Sequence, residues 1–232
     1  PILLSSIISY VITIKFYDYE PNFTIPDISI QNLYNIFFLI LAGILCGILA
    51  TIYSNFLSSP KLKPLETLFP KTYLNPAFAG LICGLVAMYF PEVTGIGTET
   101  INQLINNYVT LQNALIFLAL KLVLTTVCIR MGLVGGIFAP ALFLGASLGV
   151  VVSKLGSLIT DQIDPTLITI SSMAAIGSCI IGGPIANVLI IFELTSNYEA
   201  ALSAGICIVI ATIISSKYVG QSTFDQILKN KK

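Results

Sequence analysis

Histidine is absent from all 232 residues, and only 9% of them are charged. Without an imidazole the chain has no histidine-based nucleophile triad, no histidine metal site and none of the usual general bases for neutral pH. The five cysteines, Cys46, Cys83, Cys128, Cys179 and Cys207, each sit in an apolar run without Cys-x-x-Cys spacing. They read as small buried hydrophobes rather than disulfide or metal partners. Eleven Lys plus Arg balance eleven Asp plus Glu, and no basic cluster alternates with aromatic residues, which argues against a nucleic-acid partner. Gly95-Ile96-Gly97 has neither the preceding strand, nor the third glycine, nor the later acid of a dinucleotide site. An enzyme is therefore disfavoured, and no soluble domain, low-complexity linker or fixed-period repeat interrupts the chain.

Apolar residues are abundant instead. At 56% hydrophobic and a mean hydropathy of +0.93, the composition lies well beyond the roughly 45–50% apolar and about 25% charged residues of soluble domains. Weakly charged runs recur at about 35–57, 76–90, 114–129, 133–152, 167–194 and 201–215, several near the roughly 20 residues a membrane span needs. Others are shorter, and glycine and proline interrupt them. That unevenness predicts an all-α integral membrane protein of tilted, broken and re-entrant helices, as in transporter cores. The alternative is a set of ordinary spans whose glycines only permit close packing. Helices are expected at about 2–16, 31–57, 74–90, 111–130, 140–155, 166–180, 184–198 and 200–216. A short one should end near Asn106, and an amphipathic segment at 222–228 closes the chain.

The most informative stretch is Gly135-Gly136-Ile137-Phe138-Ala139-Pro140, an irregular break that opens into the apolar run Ala141 to Val152. Non-helical backbone at membrane depth is tolerated only where it is buried in protein or lines a cavity. The first amides of a helix carry partial positive charge, so such a break offers an anion site without a charged side chain. Charge is also unevenly placed. Lys61, Lys63 and Lys71 mark one loop and Lys217, Lys229, Lys231 and Lys232 the C-terminus, whereas Asp18, Glu20 and Asp27 share a segment with no base. The positive-inside rule puts the lysine-bearing segments in the cytoplasm, with the plasma (inner) membrane as the expected location.

Three groups of residues resemble the CLC family of chloride channels and proton-coupled chloride transporters. Gly136-Ile137-Phe138-Ala139-Pro140, continuing to Gly149, is similar to the family's Gly-x-Phe-x-Pro anion motif. Met173 to Pro184, followed by Ile190 to Tyr198, resembles its late helix pair. Lys121, Thr125 and Thr126 resemble the basic residue and threonines that precede the motif. The resemblance runs from Pro1 to about Leu228. It implies that Ile137 and Phe138 present backbone amides to a chloride or similar small anion, that Gly136 allows the approach and that Pro140 fixes where the helix starts. It further implies a homodimer in the lipid bilayer, built on the first two helices and the pair around 184–216, and no cofactor beside the transported chloride.

The same resemblance implies that residues 1–232 hold the end of the first inverted-repeat half and all of the second. The chain begins at Pro1 without an initiator methionine, and its first residues already read as the body of a helix, so it reads as the later part of a longer protein. The family's gating and proton-handling glutamates belong to the missing N-terminal half, so channel and exchanger stay open, and a pore-incompetent structural fragment is the alternative function. Lys121 and Glu193, charged within apolar runs, are expected to satisfy buried backbone, with Lys121 adding positive potential to the anion path. Phe224 stands where the family often has an anion-binding tyrosine, which implies weaker central binding and looser coupling. Restoring the hydroxyl with Phe224→Tyr in the full-length protein should tighten chloride binding in calorimetry, and unchanged affinity would refute that role.

Overall fold

The computed structural model describes residues 2–16, 23, 25, 32–58, 74–220, 222–223 and 226–227, and between Ile2 and Val219 the described residues form nine α-helices. They are α1 Ile2–Phe16, α2 Leu33–Ser58, α3 Leu74–Ala87, α4 Thr98–Ile105, α5 Leu111–Arg130, α6 Phe138–Ser157, α7 Pro165–Ile181, α8 Pro184–Thr195 and α9 Tyr198–Val219, with a 3-10 turn at Pro91–Val93. Helix satisfies the backbone within each apolar run, which is what a lipid surrounding demands. Among the described residues α2, α5, α6 and α9 are long and apolar enough to cross a membrane, while α3, α7 and α8 are shorter. The expected mixture of full-length and shorter helices is therefore present.

Local chemistry sets the boundaries. Thr110 caps α5 by accepting from the Asn113 amide, Asp164 caps α7 by accepting from Thr166 and Leu167 with Pro165 in the first turn, and Asn197 caps α9 by accepting from Ala200. Each side-chain oxygen takes up a first-turn amide that has no intrahelical partner. The long run at 167–194 divides where Gly182 adopts a left-handed φ of 79° and Pro184 opens α8. Helix α6 starts two residues before the expected 140 and ends two after 155. Proline needs no acceptor in the first turn of a helix, so Phe138 and Ala139 precede Pro140 within it.

Helix α7 forms the centre: its residues from Thr166 to Ile180 are buried, with α6, α9, α2 and α8 packed around it. Two glycine pairs at four-residue spacing make that packing close. A Cβ on Gly145 of α6 would lie 2.5 Å from the Met173 Cα and the Ser172 carbonyl oxygen, and one on Gly149 would lie 2.5 Å from the Thr169 Cα. On α2, a Cβ on Gly43 or Gly47 would meet Ile210 Cβ at 2.9 Å or Ile214 Cβ at 2.8 Å on α9. These are small-xxx-small contacts, in which missing side chains let helix backbones approach where no hydrophobic effect against lipid holds them. Both readings of the glycines thus hold, at different positions.

Several hydroxyls inside this core bond to carbonyls or to one another, while the buried Ser147 and Ser178 hydroxyls have no partner among the described residues. Thr169 donates to Pro165, Ser172 to Ile168, and Thr166 to the Ile105 carbonyl at the end of α4, while Ser171 and Ser203 join α7 to α9 at 3.0 Å. Buried polar side chains are tolerated on these terms. Gly145→Ala should lower stability by about 1–3 kcal/mol, because backbone rather than a flexible side chain stands in the way. Gly205→Ala, whose Cβ would meet nothing closer than Val188 Cγ2 at 4.0 Å, should leave it unchanged or slightly raised. Thermal melting in detergent separates the two, and equal melting of both variants would contradict this packing.

Candidate anion site

The break between α5 and α6 is built by backbone chemistry. Helix α5 ends at Arg130 in a Schellman arrangement: the Leu133 amide donates to the Cys128 carbonyl, the Gly132 amide donates to Ile129, and Gly132 takes a left-handed φ of 88°. Such a close satisfies the last carbonyls and turns the chain sharply. Residues 133–136 then run without regular structure to Ile137, the N-cap of α6. Isoleucine has no side-chain acceptor, and none caps this helix. Among the described residues, the amides of Gly135, Gly136, Ile137, Phe138 and Ala139 have no hydrogen-bond acceptor, and Pro140 has no amide hydrogen to offer. The positive end of a twenty-residue helix is left available.

That end borders open space. Gly135 and Gly136 are exposed, and a Cβ at either would meet nothing within 4 Å. Neither has a left-handed φ. The fold therefore does not require glycine at these two positions, and side chains there would extend into open space. A cavity of about 330 Å³ lies beside them, with Lys121, Thr125, Cys128, Gly136 and Pro140 in its wall. On the far side, the buried Tyr53 hydroxyl of α2 donates to the Ile137 carbonyl at 3.3 Å, which holds the cap residue in place.

Lys121 supplies the cation of the site. It is 3% exposed, and its ammonium donates to the carbonyls of Val93 at 2.8 Å and Gly95 at 2.7 Å while lying 4.7 Å from the centre of the Phe143 ring. Backbone carbonyls are thus its partners, as expected, one of them buried at Val93 and the other on the exposed Gly95. The same ammonium joins α5, the 91–97 turn and α6, and Gly97, at a left-handed φ of 75°, lets that turn press on Phe143. An ammonium has three donors; two are committed here, and the charge remains at the cavity wall.

Of the residues anticipated from sequence, Gly136, Ile137, Phe138, Pro140, Lys121 and Thr125 come together at this break. Thr126 turns away and donates to its own helix at Leu122, and Glu193 lies on the exposed side of α8. Phe224 lies outside the described residues, as do the lysines of residues 59–73, those of the tail and the acids of the 17–27 segment. The neighbouring Thr223 hydroxyl pairs with Ser54 of α2, one residue from Tyr53. Gly132 and Tyr53 were not anticipated. A glycine just after the last apolar residue of a helix is a readable stop signal, whereas the Tyr53 contact spans 84 residues and leaves no local trace.

Removing the ammonium with Lys121→Met takes this donor from the buried Val93 carbonyl and from that of Gly95. Since a hydrogen bond to a charged group contributes about 1.5–3 kcal/mol, the variant of the full-length protein should melt at distinctly lower temperature and bind anion more weakly. Unchanged melting together with unchanged anion binding would contradict the structural role and the electrostatic one.

A family model described as voltage gated chloride channel matches residues 1–216. The chain is 25% identical over 232 residues to an H(+)/Cl(-) exchange transporter ClcA of Vibrio campbellii, covering 98% of this chain and 50% of that protein. It is 26% identical over 226 residues to the chloride channel protein CLC-f of Arabidopsis thaliana, covering 87% of this chain and 28% of that one. The chain therefore spans half or less of the relatives it matches. Among solved structures, a slow cyanobacterial Cl-/H+ antiporter superposes with a TM-score of 0.83 at 20% identity, over 95% of this chain and 52% of that one. A CLC-type fluoride/proton antiporter superposes with a TM-score of 0.70 at 21% identity, over 88% and 50%. These two likenesses concern the fold, and each of the proteins named is described as an ion transporter or channel rather than an enzyme.

Proposed function

The chain belongs to the voltage gated chloride channel family, and on that premise we propose that it forms one part of a pathway for chloride or a similar small anion. The observation that carries the reading is the start of α6, where five successive amides have no acceptor among the described residues and Gly135 and Gly136 leave the neighbouring space open. A dehydrated halide needs several donors, and backbone dipoles supply them without the full charge that would slow its release. Ile137 and Phe138 give the amides, Gly136 the approach and Pro140 the constraint on the first turn. Lys121 raises the local potential from the cavity wall, already tethered to two carbonyls. No cofactor enters this reading, since the transported ion is the ligand.

The remaining half of the pathway belongs, on this reading, to an N-terminal half of the same protein, with residues 1–232 contributing the second inverted repeat. The span of half the ClcA relative is what supports that division. The apolar outer faces of α8 and α9, with Ile185, Leu189, Val209 and Ile213 all more than half exposed, suit a homodimer interface. Lys217 at the end of α9, with the lysines beyond it, favours a cytoplasmic C-terminus in the plasma (inner) membrane.

Anion efflux from liposomes holding the full-length protein, with internal and external pH recorded together, tests the function. Chloride efflux is expected. Opposed proton movement would identify an exchanger, and its absence a channel or uncoupled carrier. No efflux of chloride, nitrate or fluoride would overturn the transport reading and favour a structural fragment.

A further inference from the structure

Cysteine behaves in two ways in this fold. Cys46, Cys179 and Cys207 are enclosed between α2, α7 and α9, at most 4% exposed, and the Cys46 thiol donates to the Ser172 carbonyl at 3.6 Å. Cys46 and Cys207 are wholly enclosed, while Cys179 borders a separate cavity with Gly182, Pro184 and Ser215. Cys83 of α3 and Cys128 of α5 differ: both are half-buried, their sulfurs lie 3.0 Å apart, and both line the cavity beside Gly135 and Gly136. The two thus differ from the small, buried hydrophobes expected of all five cysteines. They are 45 residues apart in sequence, so packing of α3 on α5 pairs them and no spacing motif announces it.

We infer that Cys83 and Cys128 form a redox modification site, a dithiol that hydrogen peroxide converts to a disulfide, and that this closure restricts the adjacent anion cavity. The sulfurs need approach by only roughly 1 Å to reach the S–S bond length of about 2.05 Å. One thiol sulfur attacks a peroxide oxygen, the O–O bond breaks, and a sulfenic acid and one water form. The second thiol attacks the sulfenic sulfur, the S–O bond breaks, and the oxygen leaves with the remaining protons as a second water. The two sulfurs together lose two electrons and the peroxide gains two. An accessible, unbonded thiol pair of this kind suits transient, sensing chemistry more than a structural cross-link.

The coupling to transport follows from position and rests on the anion pathway proposed above. Cys128 is the residue whose carbonyl accepts from Leu133 in the turn that launches the glycine break. A covalent tie from α3 to this point draws the cavity wall inward and fixes the turn whose far end presents the amides. Neither Lys121 nor the glycines need move for the opening beside them to narrow.

The test uses the full-length protein in liposomes exposed to hydrogen peroxide, with peptide mapping and chloride efflux measured on the same sample. A cross-linked peptide pair containing Cys83 and Cys128, reversed by dithiothreitol, is expected, with efflux falling at least about twofold on oxidation and recovering on reduction. Cys83→Ser and Cys128→Ser should each lose both responses and retain a single oxidised thiol that dimedone traps. If both thiols stay open to alkylation after peroxide, or if a different pair is linked, the site is overturned. A complete Cys83–Cys128 disulfide with unchanged efflux overturns the coupling. A reduced protein that moves no anion is a failure of the transport reading, and the peptide map still decides the redox site.

Discussion

Helices that start in apolar surroundings must find acceptors for their first amides, and that constraint shapes this molecule more than any charged contact does. Each such amide is one that a cap can stabilise by about 1 kcal/mol. Helices α5, α7 and α9 meet the demand with the oxygens of Thr110, Asp164 and Asn197. Helix α6 meets it with nothing of its own. Its cap residue is Ile137, and the preceding glycines bond to no carbonyl among the described residues. Helices α4 and α8 also start without a side-chain cap, at Gly97 and Gly183, so what sets α6 apart is the cavity that borders its start, which on the proposed reading takes a ligand of negative charge.

The surrounding architecture keeps that arrangement from relaxing. Gly145 and Gly149 seat α6 directly on the backbone of α7, so the helix cannot slide to bring its N-terminus against an internal acceptor. Tyr53 anchors the Ile137 carbonyl from α2, and the Schellman turn at Gly132 fixes the chain on the other side. Lys121, the one cation at the cavity wall among the described residues, is committed to two carbonyls. Its charge is felt at the cavity while its position is set by the fold, which favours attraction without tight capture.

Much of this was readable from residue order, for identifiable reasons. The apolar runs and their interruptions reported the helices, since in a membrane setting only helix or a closed barrel satisfies the backbone. Gly182-Gly183-Pro184 announced the division between α7 and α8, and Gly135 to Pro140 announced the break. The start of α6 was misplaced by two residues because Pro140 occupies its third position rather than its first. Long-range pairings were not legible. Nothing near Tyr53 in sequence points to Ile137, nothing near Cys83 points to Cys128, and the two carbonyls held by Lys121 lie 28 and 26 residues upstream. These contacts are products of helix packing, whose geometry local pattern does not encode.

The central claim is that an anion rests on the amides at the start of α6. Crystals of the full-length protein grown in bromide test it most directly through the anomalous signal of the ion. The account predicts a peak in hydrogen-bond contact with the amides of Ile137 and Phe138, weakened by Gly136→Val while the fold is unchanged. Bromide bound elsewhere in the protein, with no peak at these amides, would contradict it.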